Sequence, residues 1–180
     1  MVRQLIVAAA VLALAACNQG TGPDLPQTQE GAHAPSELTA SAAQQATITP
    51  EVRQQLIQQM GDLLSQSQNQ LAAGLTRAEG LVDEIAPLQP GTDHRWQVAL
   101  RGGSAYRILG VCDGDCTNVD IELIDVRTGG VVASDVLPDD YPVVDYTPAA
   151  DGQYIVRIMM QACSVAPCYA GARVLTGAGK

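Results

Sequence analysis

The sequence predicts a mainly β protein: a C-terminal antiparallel, jelly-roll-like β-sandwich of about seven strands, preceded by an α-helical arm and a disordered tether. Three observations carry this. Short runs of Val, Ile, Leu and Tyr recur between turn signals over residues 95–175. An apolar stripe of helical period begins after Thr49 in a Gln- and Ser-rich background. The stretch before it is rich in Gly, Pro, Thr, Gln, Ala and Ser and shows no sustained period. With 180 residues there is room for one ordinary domain and additional segments.

The chain opens with Arg3 and the apolar residues 5–16. Twelve residues are too few for a membrane-spanning helix, which needs about 20, but they suit the apolar part of a secretory signal. Directly after them stands Leu14-Ala15-Ala16-Cys17. This resembles the lipobox of bacterial lipoproteins. The resemblance implies removal of residues 1–16 as a signal peptide, acylation of the Cys17 thiol and attachment to a membrane, where each buried methylene contributes about 0.8 kcal/mol. Asn18 in the second mature position, in place of the aspartate that commonly retains such proteins in the inner membrane, implies the outer membrane.

Residues 17–47 read as a lipidated flexible tether, with His33 a solvated linker residue. Residues 48–87 read as a helical segment. Thr49 suits the N-cap, Pro50 the first helical position and Glu51 the positive end of the helix dipole. Val52, Leu56, Met60, Leu63, Leu71, Leu75, Val82 and Ile85 fall on one stripe, with Pro87 as the terminator. Gly61, Gly74 and Gly80 weaken the run, leaving open one long helix or two broken near Gly74. The stripe is not a clean heptad, which favours packing on the neighbouring domain or loose self-association over a coiled coil.

Pro90-Gly91 then marks a boundary, and residues 93–177 form the predicted sandwich. Strands are expected at 95–101, 105–111, 119–126, 131–134, 143–147, 153–161 and 170–175, separated by turns such as Gly102-Gly103 and Asp151-Gly152. Trp96, Val98 and Leu100 alternate with Gln97 and Ala99, and Val119, Ile121 and Leu123 alternate with Asp120 and Glu122, as one buried and one wet face requires. Residues 154–160 are apolar on both parities except for Arg157, which predicts a central strand.

Across residues 96–176 the order Val98-x-Leu100, Gly102-Gly103, Tyr106, Val119-Asp120-Ile121-Glu122-Leu123, Asp139-Asp140, Tyr146-Thr147-Pro148, Asp151-Gly152-Gln153-Tyr154 and Tyr169 resembles the bacterial pre-peptidase C-terminal domain. That resemblance implies a jelly-roll-like sandwich serving exported enzymes as an accessory or binding module, in some members with calcium. The chain departs from the pattern in its two cysteine pairs and in carrying no peptidase domain in its earlier residues.

Cys112 and Cys116 enclose Asp113-Gly114-Asp115, and Cys163 and Cys168 enclose residues 164–167. After an export signal, four cysteines point to disulfides, and the short separations favour Cys112 with Cys116 and Cys163 with Cys168; two crossed pairings remain open. Such small loops limit each bond to about 1–2 kcal/mol. The same thiols match the donor set of a tetrahedral zinc site, which an oxidising compartment disfavours. Asp113, Asp115, Asp120, Asp139 and Asp140 supply hard oxygen donors of the kind calcium takes, but turn initiation and an acidic, soluble surface are the favoured explanation of aspartates at these places.

The formal net charge of −9, with Lys180 the only lysine, argues against nucleic acid as a partner. His94 has no identifiable nucleophile beside it, and no hydrolase or phosphate-binding motif is present. The expectation is a non-enzymatic envelope lipoprotein whose sandwich meets a protein, peptide or glycan. A structural role for the helical arm, a calcium-dependent binding module and an uncharacterised hydrolase are the alternatives.

Overall fold

The computed structural model describes residues 31–39 and 41–177. In chain order its elements are β1 (Gln44–Gln45), α1 (Pro50–Leu71), β2 (Leu75–Arg77), β3 (Glu84–Leu88), β4 (Thr92–Leu100), β5 (Tyr106–Cys112), β6 (Cys116–Asp125), β7 (Val131–Asp135), β8 (Val143–Tyr146), β9 (Gly152–Cys163), β10 (Val165–Ala166) and β11 (Cys168–Gly177). All seven strands expected from the sequence are present, several of them longer by a few residues because their ladders run on into the cysteines.

Two antiparallel sheets face each other. One has the order β4-β9-β6-β7; in the other, β11 pairs with β5, β5 with β8, and β2 and β3 lie end to end along the far edge of β11. Numbering the eight strands β3 to β9 and β11 from one to eight, the sheets read 2-7-4-5 and 1-8-3-6. This is the double Greek key of a jelly roll. The core between the sheets holds Val98 and Leu100, Ile108, Val119, Ile121 and Leu123, Val156, Ile158 and Met160, and Val174, all of them buried. Each set alternates along its strand, as the two-residue period of a sheet dictates.

The helical segment is shorter than the stripe predicts. Thr49 is the N-cap, its hydroxyl accepting from the Val52 N–H, but α1 stops at Leu71. Gly74 then takes the left-handed conformation, with φ of 85°, and turns the chain into β2. Residues 75–88 therefore form β2 and β3 with a turn between them instead of helix. Leu75 and Ile85 fit a helical stripe by spacing alone, but Ala86 and Leu88 alternate into the sandwich core. Pro87 is compatible with β3 because β3 pairs only with β11 and its other edge is free of ladder bonds.

α1 lies across the outer face of β5 and β11. Met60 and Leu64 are fully buried there against Val111 and Tyr169, with Leu56, Ile57, Leu63 and Ile85 around them. The stripe is thus spent on the domain itself, in line with the packing expected from its irregular period. Val52 and Leu71 at its two ends stay exposed.

Residues 31–39 and 41–47 do not form a free tether. They cross the opposite sheet: His33 bridges Val131 through both main-chain hydrogen bonds, and β1 pairs in parallel with β10. The molecule is layered as helix, sheet, core, sheet, strap. The earlier part of the predicted tether, including Cys17 and the leader, lies outside the described residues.

Two buried arginines fix these outer layers. Arg157, in the middle of β9, donates to Glu122, to Asp93 and to the Ser36 carbonyl beneath the strap. Arg173, in the middle of β11, donates bidentately to Asp83 and through Nη1 to Gln68 of α1 at 2.8 Å. Arg107 of β5 closes the end of α1 by donating to the Leu71 carbonyl while pairing with Asp145. A helix with no basic residue in its last turn thereby receives a cation at its negative end.

Candidate functional site: the two ends of the sandwich

The ends of the sandwich differ in character. At one end β5 passes to β6 and β9 to β11, and both turns are closed by disulfides, Cys112–Cys116 and Cys163–Cys168. All four cysteines are buried. Cys116 and Cys163 are register partners across β6 and β9, so the two closed loops lie side by side. They are also hydrogen-bonded together: the Ser164 N–H and hydroxyl both donate to the Asp115 carbonyl, at 2.8 and 3.0 Å.

The five aspartates considered as oxygen donors are distributed over separate structural tasks. The Asp113 carboxylate accepts from the Tyr169 N–H at 2.6 Å and from the Asp115 N–H, tying β5 to the start of β11. Asp139 accepts from the Tyr141 N–H and turns the loop before β8. Asp115 lies exposed in its loop, and Asp140 is half-buried beside Asp139. Asp120 sits on the strap side of β6, where Oδ2 accepts from Gln161. Among the described residues no three His, Cys, Asp or Glu side chains converge as a metal site, and the five aspartates considered for calcium are not brought together. Their roles as turn formers and loop ties explain their places.

Asp120 is nonetheless unusual. It is 4% exposed, its Oδ1 has no partner, and the Oδ1 of Asn118 nearby on the same strand has none either. Burial, with Asp135, Glu122 and Asp139 adding negative charge around it, raises the Asp120 carboxyl above the ordinary aspartate range. A raised value means that the folded state holds this proton more tightly than the unfolded state. The ionised carboxylate therefore disfavours the fold at neutral pH, and the penalty disappears as pH falls below the ordinary aspartate value. Asp120→Asn is expected to stabilise the protein by on the order of 1 kcal/mol at pH 7. Denaturant unfolding at a series of pH values checks this: the gain should shrink steadily toward pH 3, and a gain that is absent at pH 7 or constant with pH would refute the assignment.

Asp93 and Asp83 behave oppositely. Burial works against their charge, but Arg95 and Arg157 around Asp93, and Arg173 and Arg77 around Asp83, outweigh it and hold both carboxyls below the ordinary range. Their contribution is present above the ordinary aspartate value and is lost in acid.

The opposite end carries the open clefts. One, of about 460 Å³, lies between residues 125–127 and 149–154. A second, of about 540 Å³, runs from Glu79 past Leu100 and Arg101 to Gln153. They share Asp151, Gly152 and Gln153, so together they form one continuous surface around the loop entering β9. Both are open to solvent, and their volumes reach the range of small-molecule sites. The floor is firm: the Tyr154 ring is buried, meets Tyr146 edge-on at 5.4 Å and has its hydroxyl raised by burial. Asp151 accepts from the Gly102 N–H, and a side chain at Gly102 would strike the Ala150 backbone at 2.6 Å, so the two loops are locked together. Arg101 and Arg127 are the exposed cations on this rim.

His94 is partly exposed and is held by an aromatic and an acidic neighbour. Its ring stacks on Trp96 at 5.7 Å and Nε2 lies 3.2 Å from Glu84 Oε2, which links β4 to β3 across the side of the sandwich. Glu84 was hidden in the predicted helix, and the partnership was therefore not legible from spacing. Among the described residues no helix is long and apolar enough to cross a membrane. No family model matches the chain, and no curated protein matches it.

Proposed function

We propose that the protein is a non-enzymatic cell-envelope lipoprotein, held at the membrane through Cys17 and more specifically at the outer membrane. Its disulfide-clipped sandwich serves as a binding or accessory module for an envelope protein, peptide or glycan. The observation that carries this reading is the run Leu14-Ala15-Ala16-Cys17 after a brief apolar leader. Two disulfides at one end of the domain agree with an oxidising compartment. The continuous cleft surface at the other end, facing away from the disulfides, supplies a place for the partner. The resemblance to pre-peptidase C-terminal domains supports the accessory role, and the jelly-roll strand order agrees with it.

The helical-arm alternative draws less support, because the apolar stripe of α1 is covered by β5 and β11. Replacing Cys17 by serine tests the reading. Loss of lipid labelling and of membrane association is the expected result; unchanged fractionation and labelling would overturn it.

A further inference from the structure

The strap is bound to the four-stranded sheet in an unusual way. From His33 to Thr39 its hydrogen bonds to the sheet all use the strap's own main chain. The His33 N–H and C=O pair with Val131, the Ser36 N–H donates to Glu122 at 2.8 Å, the Ser36 C=O accepts from Arg157 at 2.9 Å, and the Thr39 N–H donates to Gln161 at 3.0 Å. Side chains of the sheet thus read the backbone of an extended segment. None of the described residues from Gly31 to Thr49 is buried, so little apolar area holds the strap down. Beneath it Glu122 and Arg157 are 0% and 3% exposed. Lifting the strap returns these charges to water, which offsets part of what is lost.

A cover held by a few main-chain contacts over desolvated charges is exchangeable. Residues 31–39 are joined to the body on their C-terminal side, through β1 on β10 and then α1, so they can swing out as a unit, the arrangement that segment exchange between copies requires. We infer that the outer face of the four-stranded sheet is a groove for an extended polypeptide, and that residues 31–39 of a second copy of this chain can take it in place of the resident segment. The inference is independent of the lipid anchor and of the cleft end.

The probe is a fluorescein-labelled peptide of residues 31–47, titrated by anisotropy into the full mature chain. Ser36→Pro removes the N–H that Glu122 accepts from, and Thr39→Pro the one that Gln161 accepts from; both loosen the resident strap while leaving the groove residues unchanged. The wild-type peptide should bind both variant chains about tenfold more tightly than the wild-type chain, because the internal competitor is weakened by roughly one charge-assisted or neutral hydrogen bond. The two variants guard against one of them failing to fold, and a cooperative melt identifies a folded chain. Equal affinity for wild-type and variant chains, or no saturable binding to a variant that melts cooperatively, would overturn the inference.

Discussion

Arg157→Met is expected to lower the stability of the fold by about 3–5 kcal/mol, the range seen when one member of a buried charge pair is removed. Glu122 has no exposure and Arg157 is its only cationic partner among the described residues, at 3.0 Å. Methionine fills much of the arginine stem's space but supplies no donor. It leaves the Glu122 carboxylate desolvated, with only the Ser36 N–H, and it takes the donor from the Ser36 carbonyl of the strap. Asp93 keeps Arg95, which limits the damage on that side. Guanidinium unfolding of the disulfide-intact protein measures the loss. Adding Glu122→Leu should recover most of it, since removing both partners leaves no orphaned charge. A single variant within about 1 kcal/mol of wild type would mean that the network is far better hydrated than its burial indicates.

Arg173→Met should cost less, about 2–3 kcal/mol. Asp83 is partly exposed and keeps Arg77 when Arg173 is lost. The effect should instead be concentrated in α1, because Arg173 is the side chain that reaches from the centre of β11 to Gln68 and Ser65 of the helix and to the loop bearing Asp83. Amide exchange is the discriminating readout. Residues 50–71 should lose protection well beyond the loss in β6 and β9, whereas Arg157→Met should expose residues 33–39 and spare the helix. Uniform loss across the domain in both variants would show that the two covers are not separately pinned.

The strands of the sandwich were legible because their signals are local. Alternation in Val119-x-Ile121-x-Leu123, turn residues between runs, and a run at 154–160 that is apolar on both faces fixed the position of β6 and the central place of β9. That same run carried a further message. An arginine as the sole charge in a strand apolar on both faces implies a cover on the outer face and a buried acid to meet it; Glu122 is its register partner on β6.

Two parts were not legible in full. β3 is masked by the helical stripe because Leu75, Val82 and Ile85 recur at spacings that a helix and a turn-strand-turn path both satisfy. Gly74 and Gly80, both left-handed, and the alternation of Ala86 with Leu88 separate the cases. The strap reads as tether in the sequence because its contacts use the backbone, which every sequence carries, and its Ala-, Ser- and Gln-rich composition has no apolar anchor to announce a docking site. The pairing of the cysteines followed from their separations, while the dispersal of the aspartates depended on strand order and could not be read from proximity along the chain.

β3 completes the eight-stranded sandwich, α1 covers one outer face and the strap crosses the other, and together they are expected to supply a large share of its stability. Equilibrium unfolding of residues 93–177 beside residues 31–177, each with its disulfides formed, tests this most directly. The shorter chain lacks β3, α1 and the strap, and it should show no cooperative transition or a midpoint far below that of the longer one. Equal midpoints and equal denaturant sensitivity would contradict the account.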